Sequence, residues 1–376
     1  MAKIQELTAQ FRKIAASPEA QADSYIAQGK KLVGCFPYYV PEELVHAGGM
    51  VPFGVWGAQG TVKEAKKYFA PFYCTIAQMG LELGLTGKLN KLSAVIIPSL
   101  CDTLRPLTQN FRVGVPQIPF IFLAHPQNRK PEYGLSYTLY QYTTVKAKLE
   151  KIAGGEIELE KVSESIKVYN ESRKTRREFV LLAGQHPEAV SAADRSAVLK
   201  SAFFMLKEEH TALLRELNGE LAKLPTVPWK GVRVLTSGIL ADSPGLLKIF
   251  DDLKIAIVAD DVAQESRAIR VDAPEDGDPM KALARQFASQ DNDTILYDPT
   301  LTGRPKFVAD LAKKSGAQGV VILMQQFCDP EEMEYPSLKK ALEEANLPHA
   351  VIGVDQQMRD FAQARTQLQT LREMLG

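Results

Sequence analysis

The sequence predicts an α/β protein made of two similar parallel-sheet domains, with a helical segment before them and a helical region between them. Three observations predict it. From Lys31 to about residue 135, short apolar runs alternate with helical stretches, the interval of strands joined by helical crossovers. The same rhythm resumes beyond residue 228, after a stretch with helical periodicity and no strand signal. The two α/β stretches also resemble each other: 31–54 parallels 231–258, and 93–123 parallels 317–354. That similarity points to an internal duplication.

The elements follow in order. Residues 3–29 predict one or two amphipathic helices, broken near Ser17-Pro18, where proline lacks the N–H to continue a helix. Leu32-Val33-Gly34-Cys35 is the first strand. Pro41 suits the first turn of a helix over 41–47, and Gly48-Gly49 ends it. A strand at 51–55, a helix from 74 to about 85, a strand at 94–98, a helix at 103–111 and a strand at 119–123 complete this half. The middle predicts helices only, and its charge run Glu171-Ser172-Arg173-Lys174-Thr175-Arg176-Arg177-Glu178 predicts a solvated helix face. Leu224-Pro225-Thr226-Val227-Pro228 is a linker by composition. Beyond it, strands are expected at 232–238, 255–258, 293–297, 319–324 and 350–354, with helices at 243–253, 305–315, 336–346 and 356–374. The expected division is 1–30, 31–135, 136–227 and 228–376, with Rossmann-like sheets whose ligands bind beyond the carboxyl ends of the strands.

Composition narrows the function. Lysine plus arginine equals aspartate plus glutamate at 45 each, and no basic stripe with interleaved aromatics offers itself to nucleic acid. No apolar run approaches the ~20 residues of a membrane helix. The first residues lack the apolar core of a secretory signal. A cytoplasmic, reducing location is therefore expected, where separated cysteines act as ligands or buried thiols.

The chain has four cysteines. Cys101 follows the apolar run 94–100 and precedes Asp102; Cys328 follows the run 320–324 by three residues and precedes Asp329. Cys74, in Phe72-Tyr73-Cys74-Thr75, sits at a helix start. Two similar domains facing each other would bring the carboxyl ends of both sheets, and so Cys101 and Cys328, to one cleft. Three thiolates with an open fourth position fit an iron–sulfur cluster. Three ordinary buried thiols, or a zinc site completed by histidine or Cys35, fit the same residues. Cys35, at the end of the first strand, is either a fourth ligand or a small buried hydrophobe.

Other candidates carry less. His46 reads as a satisfied helix-face histidine, and Glu42 and Glu43 favour the dipole of a first helical turn whatever the function. His125 follows a strand and fits either the cleft or a loop. Gly57, Gly60 and Gly238 form no phosphate loop, so ATP binding by this chain is not expected.

The segments Gly34-Cys35-Phe36-Pro37-Tyr38-Tyr39-Val40-Pro41-Glu42-Glu43-Leu44, Phe72-Tyr73-Cys74-Thr75-Ile76-Ala77-Gln78, Leu100-Cys101-Asp102-Thr103-Leu104-Arg105-Pro106 and Gln326-Phe327-Cys328-Asp329-Pro330-Glu331-Glu332 surround every cysteine. Together with 122–127 and 259–267 they resemble the 2-hydroxyacyl-CoA dehydratase family, and its β-type subunits in particular, over nearly the whole chain. The related benzoyl-CoA reductase group, which reduces an aromatic ring by similar radical chemistry, is the alternative. The resemblance implies a heterodimer with an α subunit, each chain holding one 4Fe–4S cluster in the cleft between its domains. The family's three cluster-ligand motifs match Cys74, Cys101 and Cys328.

It also implies an ATP-dependent iron–sulfur activator protein as electron donor and, in some members, an FMN. The implied reaction is syn-elimination of water from a 2-hydroxyacyl-CoA to give the 2-enoyl-CoA, a step of amino-acid fermentation in anaerobes. The hydroxyl is α to the thioester and the C3 proton is barely acidic, so enolate elimination fails. One electron added to the thioester carbonyl makes a ketyl that expels hydroxide and acidifies the β-hydrogen. By the same resemblance the substrate docks at the α subunit, the cluster of this chain relays the electron, and Cys35 stands behind the ligands. The substrate residues stay unassigned.

Overall fold

In the computed structural model, which describes residues 1–376, the apolar runs become two four-stranded parallel sheets. The first holds β1 (Leu32–Cys35), β2 (Val51–Gly54), β3 (Ala94–Pro98) and β4 (Phe120–Leu123) in the order β2-β1-β3-β4. The second holds β5 (Val232–Gly238), β6 (Ile255–Val262), β7 (Gly319–Gln325) and β8 (His349–Val354) in the order β6-β5-β7-β8. The two orders are the same, so the duplication expected from sequence is present as a repeated topology. Parallel strands buried on both faces read as continuous apolar runs, and β3, Ala94-Val95-Ile96-Ile97-Pro98, is buried at all five positions.

Helices α1 (Ala2–Ala16) and α2 (Pro18–Ala27) precede the first sheet, split at Ser17-Pro18 as expected. The crossovers of that sheet are α3 (Glu42–Ala47), α4 (Thr75–Leu85) and α5 (Leu104–Gly114). Helices α6 (Glu132–Ala153), α7 (Leu159–Gln185), α8 (Ala192–Ser201) and α9 (Lys207–Leu221) form the middle. The second sheet is crossed by α10 (Pro244–Asp252), α11 (Pro279–Ala288), α12 (Gly303–Lys314) and α13 (Asp329–Glu344), and α14 (Ala362–Leu375) follows β8.

The middle helices join the two sheets by covering one edge of each. At β2, the Gly54 N–H donates to Phe203 O over 2.8 Å. At β6, α7 packs so closely that a Cβ on Gly184 would lie 2.5 Å from Val258 O. Helix α7 has 27 residues, about 40 Å of length, enough to reach from α3 beside the first sheet to β6 in the second.

Three expectations change. The run at 293–297 is no strand. The Asp293 carboxylate accepts the Ile295 N–H (3.2 Å) in a local turn and takes further bonds from Tyr39 and Arg267, so the Ile295 N–H is withdrawn from any ladder. Helix α11 occupies a stretch, between the expected strands at 255–258 and 293–297, for which no helix is expected. The charge run on α7 is not a solvated face: Ser172, Arg173, Thr175 and Arg176 are all buried. They fall on the helical stripe that already carries Val162, Ile166, Tyr169 and Phe179, and α3, α9 and β6 pack around that helix.

Candidate metal centre

The three cysteines marked by sequence lie at three helix starts. Cys74 is the N-cap of α4 and Cys328 the N-cap of α13, while Cys101 lies two residues before the N-cap of α5, Thr103. Phe327, with a left-handed backbone (φ 60°), makes the sharp turn from β7 that sets Cys328 at its helix. Backbone N–H groups of the first turns meet each sulfur: Ile76 and Ala77 at Cys74, Thr103 and Leu104 at Cys101, Glu331 at Cys328. Such groups, with the helix dipole, favour negative charge on sulfur.

The sulfurs share one place. All three pack against the same apolar core of the first sheet, although Cys328 comes from the second. Cys101 raises the pKa of Cys74 through space, and both of them raise that of Cys328. Burial is the larger effect: it pushes the Cys74 thiol up to about 12 and raises Cys101 and Cys328 as well, Glu331 adding to the rise at Cys328. No lysine or arginine is among the leading influences on any of the three. Thiolates at these positions therefore need a positive charge from a bound group, and a coordinating metal deprotonates a thiol outright.

No three Cys, His, Asp or Glu side chains converge closely enough to hold one metal ion. A lone zinc would need its sulfurs at ~2.3 Å from a single centre. Thiolates that each hold a different iron of a cluster stand further apart. The donor set, three thiols at three helix starts and in mutual electrostatic reach, fits the chemistry of an iron–sulfur cluster.

A buried polar clamp beside Cys74 ties the halves together. The Thr75 hydroxyl donates to Gln356 Oε1 and accepts from Gln325 Nε2 (3.3 Å) and the Gln356 N–H (3.3 Å). Gln356 Nε2 donates to Gln325 Oε1 over 3.2 Å. Thr75 starts α4, whereas Gln325 ends β7 and Gln356 follows β8, so the carboxyl ends of the second sheet close on a crossover of the first. Sequence reasoning missed all three residues. Thr75 stood inside the motif around Cys74 and Gln325 immediately before the one around Cys328, but Gln356 carried no signal.

Cys35 does not join the group. It is 3% exposed and packs with Val33, Leu44 and Ile96 in the other core of the first sheet, because alternate strand residues face opposite sides. Burial and Glu42 raise its pKa, with no other cysteine among the leading causes. His46 is satisfied by Ser165 Oγ and Glu208 Oε1, each at 2.9 Å. His125 is buried, with its ring tilted against that of Phe287 and the centroids 4.3 Å apart. The segment 259–267 holds buried ion pairs: Asp261 with Arg267, Arg270 and Arg304, and Asp260 with Arg195.

The family model described as "2-hydroxyglutaryl-CoA dehydratase, D-component" matches residues 37–375. This chain belongs to the 2-hydroxyglutaryl-CoA dehydratase D-component family. It is 52% identical over 377 residues to the β subunit of (R)-2-hydroxyglutaryl-CoA dehydratase of Acidaminococcus fermentans, covering 99% of this chain and 100% of that one. It is 43% identical over 366 residues to the β subunit of (R)-phenyllactyl-CoA dehydratase of Clostridium sporogenes, covering 97% of each. Identity to a benzoyl-CoA reductase chain of Thauera aromatica is 27% over 352 residues, 92% of this chain and 89% of that one. The D-component family thus takes in the motifs around Cys74, Cys101 and Cys328, and these two dehydratase chains stand nearer to this one than the reductase chain does.

Proposed function

We propose that this chain is the β subunit of a 2-hydroxyacyl-CoA dehydratase that, with its α subunit, converts (R)-2-hydroxyglutaryl-CoA to glutaconyl-CoA. End-to-end identity of 52% to a β subunit of an enzyme named for that thioester supports the substrate. The observation that carries the chemistry is the meeting of Cys74, Cys101 and Cys328 at three helix starts, in one core built from both halves of the chain.

In this proposal the three thiolates hold a 4Fe–4S cluster, which supplies one-electron transfer when bound. The residues of the chain set its surroundings. Backbone N–H groups at the starts of α4, α5 and α13 offset negative charge on sulfur. The Thr75–Gln325–Gln356 clamp fixes the spacing between ligands from two sheets. The apolar core packed against these half-buried thiols limits water on its side of the site. An ATP-dependent activator delivers the electron, and the α subunit receives it and holds the acyl-CoA.

The test uses the complete heterodimer, purified without oxygen. C101A and C328A are expected to remove the iron and sulfide belonging to this chain and to abolish activator-dependent dehydration. Full iron retention in both variants would overturn the ligand assignment. Turnover of phenyllactyl-CoA at a rate equal to that of (R)-2-hydroxyglutaryl-CoA would overturn the substrate.

A further inference from the structure

A cavity of ≈ 110 Å³ lies beside the carboxyl end of β1, lined by Cys35 and by residues of α3, α7 and the start of α9. Its charges do not balance. Three cations, Arg173, Arg176 and Lys207, line it with two carboxylates, Glu42 and Glu43. Arg173 is bonded to Glu43, and Lys207 to Glu42 at 2.9 Å, so each carboxylate already has a cationic partner. Tyr169 adds a hydrogen bond of 3.2 Å to Glu42.

Arg176 is the cation left over. It is 5% exposed, and Nε donates to Ser172 O over 3.3 Å, leaving its two terminal nitrogens without a protein acceptor. Burial and the nearby Arg173 pull its pKa down to about 10. Glu42 is the nearest opposing charge but is shared with Lys207, and no carboxylate hydrogen-bonds this guanidinium, so one small anion beside it would be favoured.

Size and charge define that anion. The cavity has room for roughly three or four waters at ~30 Å³ each, well short of the ~300–1,000 Å³ of sites for larger ligands. An acyl-CoA is excluded and an acetate-sized molecule is not. A surplus of one positive charge is matched by a monoanion, whereas a dianion would reverse the imbalance. The walls include Tyr38, Trp56, Tyr142, Phe203 and Phe287, which favour a flat ion with a short apolar tail. Cys35, its thiol held protonated by burial, adds no competing charge.

We propose that this cavity binds a small monocarboxylate, held by paired hydrogen bonds from the terminal nitrogens of Arg176. The planar guanidinium fork matches a carboxylate with two parallel bonds. None of the three thiols lines the cavity, although Tyr38 in its wall stands within electrostatic reach of Cys328.

The full chain, prepared without oxygen, tests this by thermal unfolding at fixed pH and ionic strength, with acetate replacing chloride and with inorganic phosphate as a second probe. A ligand that binds only the folded state raises the midpoint with its concentration. The wild-type midpoint should climb with acetate, that of R176M should stay flat, and R176K should need at least tenfold more acetate for the same rise. In chloride alone R176M should unfold no earlier than wild type, because it removes an unmatched charge. If R176M does not fold, R176K, which keeps the charge and loses the fork, decides. A flat wild-type curve, or an acetate response unchanged in the variants, would overturn the site. A larger Arg176-dependent response to phosphate would overturn the monocarboxylate class.

Discussion

His125 shows what burial does to a single side chain. Buried with Phe287 and Tyr142 against its ring, it has a pKa lowered to about 3 by burial, which outweighs a backbone hydrogen bond at Tyr39. Its folded-state pKa lies below the ~6.5 of an unfolded chain, so its contribution to stability is complete above pH 6.5 and is lost as the pH falls toward 3. At pH 5 the cost is about 2 kcal/mol relative to pH 7, since each pH unit between the two pKa values costs ~1.4 kcal/mol. Urea unfolding of H125F at both pH values should show a pH-dependent loss smaller by about that amount. An equal loss in variant and parent would mean that burial does not hold the His125 ring neutral in solution. His210, buried and lowered to about 3 in the same way, adds a further loss in acid that H125F leaves in place.

Helix α7 carries two kinds of charge, and burial separates them. Lys161 and Glu164 pair at 2.9 Å with both side chains 56% exposed. Arg173 and Glu43 pair with side chains 7% and 3% exposed. A screened surface pair contributes little, whereas removing one member of a buried pair strands the other. R173M is expected to cost about 3–5 kcal/mol, and K161M should leave the denaturation midpoint where it was. Similar losses in the two variants would contradict the burial of this helix. The stripe was legible in the sequence: 162, 166, 169, 173, 176 and 179 recur at helical spacing, and the arginines sit on it. Their charge made them read as solvent-facing. Packing of α3, α9 and β6 around α7 decided otherwise.

For the whole molecule, the decisive contacts are those that hold one half to the other. Thr75 with Gln325 and Gln356 is one, and Arg267, bonded to Tyr38 of the first half (2.8 Å) and to Asp261 of the second (3.1 Å), is another. T75V leaves buried amide groups without a partner, at a cost of about 1–3 kcal/mol. T75S should restore stability, because the hydroxyl is the part in use; a serine variant as weak as valine would show that the methyl packing matters instead. In the complete heterodimer, T75V should also lose iron faster than T75S on exposure to a chelator, if the clamp sets the ligand spacing.

The sequence by itself determined the two sheets. Strands buried on both faces must be apolar throughout, and crossover helices must separate them, so runs such as 94–98 and 319–324 announce themselves locally. It also determined the cysteines to watch, because each ends an apolar run or starts a helix inside a distinctive motif. Only the tertiary structure decided which thiols meet. The pleat of β1 turns Cys35 to the opposite core, and the clamp of glutamines brings Cys328 from the second half to Cys74 and Cys101 in the first. The same holds for Arg176, whose lack of a partner depends on Arg173 and Lys207 having taken the two nearby carboxylates. Periodicity and motif are properties of neighbouring residues, while pairing and burial depend on segments more than a hundred positions apart.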